Sequence, residues 1–122
     1  MSTPLPLRPS IEHNPQSESA FFLEDDGATA ILETLACEKA RKILTSLATK
    51  PATTSELADR VDTSLQNVQY HLTNLLEAEL IDEVGTWYSA KGTEMTVYAP
   101  TSMRLELRLK STDGYKSIEQ TL

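Results

Sequence analysis

The spacing of apolar residues divides the chain into a helical part and a strand part. Up to residue 76, apolar side chains recur at i, i+3, i+4 and i+7, which predicts helices that each bury one face. Four such stretches span residues 28–36, 40–48, 53–61 and 64–76. After Gly85 the period changes, and short runs of aromatic and β-branched residues predict strands. The order predicts an α+β fold that is mostly α.

Local end signals place a tight turn between the third and fourth predicted helices. Thr53 and Glu56 form the Thr-x-x-Glu pattern of a capping box, in which each side chain bonds the backbone amide of the other. Asp62 and Thr63 predict a turn, and Ser64 is a favourable N-cap for the following helix. Two helices joined in this way are a helix-turn-helix.

A β-hairpin is predicted after the helices. Two runs rich in aromatic and β-branched residues, Thr86–Ser89 and Met95–Tyr98, flank the turn Ala90–Thr93. A helix-turn-helix followed by such a hairpin is the order of a winged helix-turn-helix domain with a β-hairpin wing.

The segment Met103–Leu109 alternates apolar and charged residues, and this period of two predicts a strand. A helix is the alternative, because Met103 and Leu107, like Leu105 and Leu109, also have i, i+4 spacing. Together with helix 28–36, this segment is a candidate dimer surface, since a monomer of this size leaves such apolar stripes partly uncovered. The alternative is that both close the monomer core.

The chain is accordingly divided into three parts. Residues 1–20 are predicted to be an extended N-terminal arm, because four prolines lie among few apolar residues and such a composition buries too little surface to order itself. Residues 21–100 are the predicted winged helix-turn-helix domain. Residues 101–122 are a C-terminal extension expected to contact a dimer partner.

Composition argues against several classes of protein. A single cysteine, Cys37, leaves no internal disulfide, and no apolar run approaches the ~18 residues that span a bilayer. Residues 1–10 lack the apolar core of a signal peptide, so we expect a cytoplasmic protein without membrane attachment. The soft metal ligands are Cys37, His13 and His71, which do not form a metal-binding spacing. No metal, cofactor or enzymatic activity is therefore expected.

The strongest functional signal is the outer face of the fourth predicted helix. Between Leu65 and Leu76 the sequence contains no charged residue, whereas exposed helix faces ordinarily use Glu, Lys and Arg. On a helical projection, Leu65 falls on the core side and His71 at the boundary. The side chains of the outer face are amides and hydroxyls: Gln66, Asn67, Gln69, Tyr70, Thr73 and Asn74. Amides both donate and accept, which suits the edges of base pairs in a DNA major groove.

Further residues are predicted to support DNA binding. Lys91 and Gly92 lie at the tip of the hairpin, where a cation can reach a minor groove or its phosphates. The predicted contact set is completed by Arg41, Thr54, Ser64 and His71. The alternatives are a plain hairpin turn at the tip, and a helix face that is merely solvated or is buried against a protein.

Several motifs of the sequence resemble those of the ArsR-type winged-helix transcription regulators. The similarity lies in Thr53–Ala58, in the Val-x-x-His-Leu spacing of Val68–Leu72, and in Leu75–Ile81. The resemblance implies a homodimer that places two recognition helices in successive major grooves of double-stranded DNA, about 34 Å apart, on a pseudo-palindromic operator. Gln69 and Glu79 replace the usual Ser and Gly, so no base preference is carried over.

The chain is acidic overall. The net charge of −7, from 18 acidic and 11 basic residues, argues against a general attraction to DNA. The hairpin phrase Trp87–Glu94, however, resembles regulators of halophilic archaea. In molar salt the Debye length is ~3 Å and counterion release contributes little, so hydrogen bonds from an amide-rich face become the better source of affinity.

Cys37 is predicted at the N-terminus of the second helix, a position that makes a thiol more reactive. The resemblance to redox regulators of halophilic archaea favours a redox sensor there, whose oxidation tilts the helix in response to oxidative or other stress. The alternative is a small half-buried residue at a helix junction. For the whole domain, the alternative function is a winged helix that binds protein within a larger transcription assembly.

Overall fold

The computed structural model describes residues 11, 13–15 and 18–110. The helices within these ranges are α1 (Asp26–Leu35), α2 (Glu38–Thr49), α3 (Thr54–Val61) and α4 (Leu65–Glu77). The strands are β1 (Ser19–Phe22), β2 (Ile81–Tyr88), β3 (Glu94–Pro100) and β4 (Leu105–Arg108). The predictions of four helices, a hairpin and a later strand are confirmed, and the helical alternative for the last segment is wrong. No helix in the described ranges has both the length and the apolar character needed to cross a membrane.

The ends of α3 and α4 follow the predicted signals. The Thr53 hydroxyl accepts a hydrogen bond from the Glu56 amide at 3.3 Å, and the Glu56 carboxylate accepts one from the Thr53 amide at 3.1 Å. Asp62, in the left-handed conformation with φ of 55°, ends α3. The Ser64 hydroxyl then accepts from the Asn67 amide at 3.1 Å and caps α4. The two helices are thereby joined by a short turn, with Asp62 ending α3 and Ser64 capping α4.

α1 begins at Asp26, two residues before its predicted start. Gly27 lies inside the first turn instead of preceding it. A carboxylate in the first turn is stabilised by the partial positive charge at the N-terminus of a helix, and this offsets the cost of one glycine. α2 follows directly, with Cys37 in the predicted N-cap position.

One apolar cluster holds the four helices together. Its most deeply buried side chains include Ile31, Ile43, Leu47, Leu57, Val68 and Leu75. Leu65 was expected to join this core, but that prediction is wrong, because its side chain is 53% exposed. Helical side chains tilt toward the N-terminus, so the first residue of α4 extends beyond the part of the helix that its neighbours cover.

The hairpin of β2 and β3 is hydrogen-bonded to the helical part. The two strands are antiparallel, with a register shift between Glu83 and Gly85. Ala52, in the loop between α2 and α3, exchanges two backbone hydrogen bonds with Tyr98 of β3, at 3.2 and 2.9 Å. These bonds hold the wing at a set position beside the start of α3.

Two residues from the predicted N-terminal arm contact the hairpin. Ile11 lies so close to Gly85 that a Cβ there would be 2.7 Å from its Cδ1 atom. The His13 Nε2 atom lies 3.0 Å from the carbonyl oxygen of Pro100. This part of the arm therefore packs against the wing.

β1 and β4 form a separate parallel pair, with Phe21 beside Leu107 in the register. Phe21 and Leu105 pack against the main apolar cluster. The pair joins segments from both ends of the described chain, and the predicted boundary between residues 20 and 21 falls inside β1.

We expect Thr53→Ala to lower the free energy of unfolding by about 1 kcal/mol, the usual cost of losing an N-cap hydroxyl. Thr53 is 3% exposed, so water does not replace the lost acceptor for the Glu56 amide. Chemical denaturation followed by circular dichroism measures the change. Thr53→Ser keeps the hydroxyl and should keep most of the stability, and an equal loss in both variants would contradict the assignment.

Candidate nucleic-acid interface

α4 has one apolar side and one polar side, and the polar side is uncharged as far as Leu76. Its 13 residues make it about 20 Å long. Val68, Leu72 and Leu75 are at most 2% exposed and hold the inner side against the core. The exposed outer side carries Gln66, Asn67, Gln69, Tyr70 and Thr73. The sequence predicted this division, and the structure brings these five side chains onto one surface.

Some polar groups on this surface are already bonded within the protein. The Asn67 amide nitrogen donates to the Thr63 hydroxyl at 3.0 Å, and the Thr73 hydroxyl donates to the Gln69 carbonyl at 2.9 Å. The side-chain amides of Gln66 and Gln69 make no hydrogen bond in the part of the chain that the structure describes. These two amides are therefore the groups best able to donate and accept toward a ligand.

His71 does not belong to the outer surface, although the sequence places it among the predicted contact residues. It is 6% exposed, because its position on α4 turns the ring toward the other helices. Burial lowers the pKa of His71 below the ordinary value of 6.5, and the charge of Lys39 lowers it further. The ring meets the edge of Tyr70 with centroids 5.2 Å apart. His71 thus provides a buried ring that contacts Tyr70.

Asn74 lies at the margin of the outer surface. It is half-buried and lines a shallow groove with Glu33 and Thr34 of α1, next to Tyr70. Asn74 therefore faces the groove beside α1, whereas the polar residues of the preceding turns face outward.

A second polar surface adjoins α4 at the N-terminus of α3. A groove of about 270 Å³ is lined by Thr53, Thr54, Ser55, Gln69, Glu94, Met95, Thr96 and Tyr98. The pKa of Tyr98 is raised, chiefly by burial and also by the Glu83 carboxylate, while a hydrogen bond with Thr54 opposes the rise. The sequence predicts Thr54 as a contact residue. It does not indicate Ser55, Thr96 or Tyr98, because only the folded hairpin brings β3 beside α3.

The tip of the wing has a defined shape. The Ser89 hydroxyl accepts from the backbone amides of Lys91 and Thr93 at 3.3 and 3.0 Å. Gly92 adopts φ of 83°, which side chains rarely allow. Lys91 is exposed at the tip, as the sequence predicts.

Three further predicted residues lie near helix ends. Ser64 is exposed, but its hydroxyl already caps α4. Arg41 is exposed, and its guanidinium donates to the Leu35 carbonyl at 2.6 Å, where it caps the end of α1. Cys37 is exposed between α1 and α2, at the N-cap of α2. Across the described residues, no group of three or more His, Cys, Asp or Glu side chains is arranged to hold a metal ion.

The sequence matches a family model described as a helix-turn-helix domain over residues 35–84. This stretch extends from the end of α1 to the first half of β2. No curated protein matches the sequence.

Solved structures share this architecture. The solution structure of the homodimeric winged helix-turn-helix DNA-binding domain (fragment 1–100) of Mb0332 from Mycobacterium bovis, a possible ArsR-family transcriptional regulator, is 19% identical with a TM-score of 0.52. That match covers 63% of this chain and 66% of the other. NolR from Sinorhizobium fredii is 23% identical with a TM-score of 0.51, and the match covers 79% of this chain and 80% of NolR. The likeness confirms the predicted winged helix-turn-helix fold.

The lowered pKa of His71 predicts how stability changes with pH. The folded protein favours the neutral ring, so below about pH 6.5 the unfolded chain takes up a proton that the folded chain resists. The free energy of unfolding should therefore fall as the pH drops below that value. His71→Gln removes this contribution and should flatten that part of the profile.

Denaturant titrations of both proteins at about pH 7.5, 6.5 and 5.5 measure the effect. Because both proteins keep His13, the difference between the profiles reports His71 alone. Parallel profiles across this range would contradict the prediction.

Proposed function

We propose that this protein is a homodimeric, ArsR-type transcription regulator that binds double-stranded DNA in a sequence-specific manner in the cytoplasm. One observation carries the proposal: between Leu65 and Leu76, α4 exposes a face of amides and hydroxyls without a charged side chain, while its leucine side is buried in the core. An exposed helix face without Glu, Lys or Arg is unusual, and it suits base edges that need both donors and acceptors.

In this proposal α4 lies in the major groove. Gln66, Asn67 and Gln69 read base edges, as Asn and Gln do when they bind adenine through two hydrogen bonds. Tyr70 and Thr73 contact thymine methyl groups or phosphates. The margin of the helix at Asn74 follows the same groove.

Phosphate contacts position the helix. Thr54 and Ser55 begin α3, where backbone amides favour an anion. Ser64 lies at the equivalent end of α4, and Lys91 reaches the backbone or the minor groove from the wing together with Gly92. Arg41 is a further cation for the phosphates. All these contacts are the same for every base sequence.

The acidic composition agrees with binding in concentrated salt, as in the regulators of halophilic archaea that the wing sequence resembles. With a net charge of −7, the protein gains little from general attraction to phosphates. Hydrogen bonds at contact distance are screened far less than charges separated by more than a Debye length. The neutral face of α4 is therefore suited to an environment in which a basic face loses its advantage.

Dimerisation follows from the same proposal, because a regulator that reads two half-sites of a pseudo-palindromic operator needs two-fold symmetry. Leu32 on α1 is 46% exposed, and Leu107 and Leu109 at β4 are 45% and 70% exposed. These leucines belong to the two predicted dimer surfaces. The division into an arm of residues 1–20, a domain of residues 21–100 and an extension of residues 101–122 stays a prediction.

A second candidate function is protein binding within a transcription assembly. Tyr70 is 64% exposed and Leu65 is 53% exposed on the same helix, and large side chains of this kind also occur at protein interfaces. The two functions differ in one measurable outcome, which is whether the purified protein alone binds DNA.

Gel shifts with genomic fragments, at about 0.1 M salt and again near 2 M, test the proposal. We expect specific complexes at both salt concentrations. Binding that disappears toward molar salt would contradict the account of the neutral face. A protein that shifts no fragment under either condition would favour the protein-binding alternative.

Alanine at Gln66, Asn67 or Gln69 should each reduce discrimination between operator and unrelated DNA by about 1–3 kcal/mol, the worth of a bidentate base contact. Lys91→Ala should instead weaken binding to both DNAs equally, because it removes a phosphate contact. Asn14→Ala is a matched control, since Asn14 is an exposed amide remote in sequence from α4. Equal losses on both DNAs for the α4 variants would contradict base readout.

The redox role of Cys37 stays a prediction, and it has a direct test. The thiol is exposed at the N-cap of α2, where an oxidant can reach it. Peroxide should reduce DNA affinity of the parent protein and leave Cys37→Ser unchanged. Equal responses of parent and variant to peroxide would remove the thiol from the mechanism.

A further inference from the structure

β4 leaves one edge of its sheet open. The sheet contains β1 and β4 only, and within the described ranges no strand pairs with the other edge of β4. A two-stranded sheet is marginal by itself, and an open strand edge is a template for pairing with another chain. Leu107 in this strand and Leu109, just after its end, are 45% and 70% exposed. Among the described residues, the edge therefore combines exposed apolar side chains with backbone groups that pair with no strand.

The direction of the backbone groups shows which residues face the open edge. The carbonyl oxygens of Arg104 and Arg108 accept hydrogen bonds from the amides of Ser19 and Leu23, both at 2.8 Å. Successive residues of a strand direct their backbone groups to opposite edges. Since the even-numbered residues bond β1, Leu107 and its odd-numbered neighbours direct N–H and C=O groups away from β1.

The sequence along this edge is complementary to itself. Residues 105–109 read Leu-Glu-Leu-Arg-Leu. When two copies run antiparallel with Leu107 opposite Leu107, Glu106 of each copy lies opposite Arg108 of the other, and leucines lie opposite leucines. The two charged pairs are then the non-hydrogen-bonded pairs, in which Cα atoms are about 4.5 Å apart and side chains are closest. Opposite charges stabilise such cross-strand pairs.

Neighbouring registers lack this complementarity. The same backbone edges also allow the two-fold axis to pass through residue 106 or residue 108. The first places Glu106 opposite Glu106, and the second places Arg108 opposite Arg108, and like charges directly opposite are destabilising. Within a single chain, Glu106 and Arg108 already lie on one face with Oε1 and Nε 3.5 Å apart, so both side chains are positioned to reach across.

We propose that two copies of the chain dimerise by antiparallel pairing of their β4 strands, centred on Leu107. The product is a four-stranded sheet in the order β1-β4-β4-β1, with a two-fold axis that an isologous dimer requires. Leu107 and Leu109 of each copy are then covered by the leucines of the other. The proposal rests on the proposed function only in taking the dimer as the unit that binds DNA.

Charge reversal separates pairing between chains from pairing within one chain. Glu106→Arg leaves arginine at both positions, and Arg108→Glu leaves glutamate at both, so each variant opposes like charges in its own dimer. At about 0.1 M salt, each should weaken dimerisation by roughly tenfold or more. An equimolar mixture should recover the dimer, because each arginine of one variant then lies opposite a glutamate of the other. The matched control is Asp59→Arg on α3, which should dimerise like the parent.

Analytical ultracentrifugation distinguishes the 13.5 kDa monomer from a species of twice that mass. Recovery only in the mixture supports the proposal, since neither variant contains the pair within its own strand. A parent that is monomeric, variants that dimerise like the parent, or a mixture that stays monomeric would each overturn it. Circular dichroism of each variant shows whether it is folded.

A cross-linking variant gives a second measurement that does not depend on charge. Leu107→Cys in a Cys37→Ser background places two thiols at the two-fold axis, with Cα atoms about 5.5 Å apart, within disulfide range. It should form a covalent dimer on mild oxidation, whereas Leu23→Cys in the same background should not. Cross-linking of both or of neither would overturn the register.

DNA binding is measured separately, so the two proposals fail separately. If the parent binds DNA and the β4 variants remain dimers, the regulator function is supported and this interface is not. If the mixture of variants recovers the dimer but the parent binds no DNA, the interface is supported and the regulator function is not.

Discussion

The burial of the leucine side of α4 is the interaction on which the rest of the structure depends. Val68, Leu72 and Leu75 are at most 2% exposed, and they pack in the same cluster as Ile43, Leu47 and Leu57 of α2 and α3. Because a helix turns by about 100° per residue, fixing one side of α4 also fixes the direction of the other. The outer residues make few contributions to the core, so their chemistry is free to serve a ligand.

Hydrogen bonds also hold the wing against the helical part of the domain. Ala52 and Tyr98 join the α2–α3 loop to β3 through two bonds, and Tyr98 also bonds Thr54 at the start of α3. As a result, the N-terminus of α3, the middle of α4 and one strand of the wing border a single groove. A surface assembled in advance in this way loses little conformational freedom when it binds a ligand.

Charge has different roles at the proposed DNA surface and at the proposed dimer interface. The outer side of α4 is uncharged between Leu65 and Leu76, whereas the chain as a whole carries a net charge of −7, so the proposed DNA surface is distinguished by lower acidity and not by positive charge. At β4, in contrast, alternating Glu106 and Arg108 supply the charges that select one register of the proposed dimer. Glu106 and Arg108 would interact across the proposed interface at contact distance, where salt screens an attraction less than it does between distant charges.

The four helices, the caps of α3 and α4, the hairpin and the uncharged face of α4 up to Leu76 follow from the sequence alone, because they depend on local periodicity and on hydrogen bonds between residues close in the chain. Tertiary structure decided the rest. It buried His71 and exposed Leu65, since the reach of neighbouring helices is not encoded in a helical projection. It also placed Tyr98 beside Thr54 and paired β1 with β4, because contacts between residues far apart in the chain depend on how the elements pack.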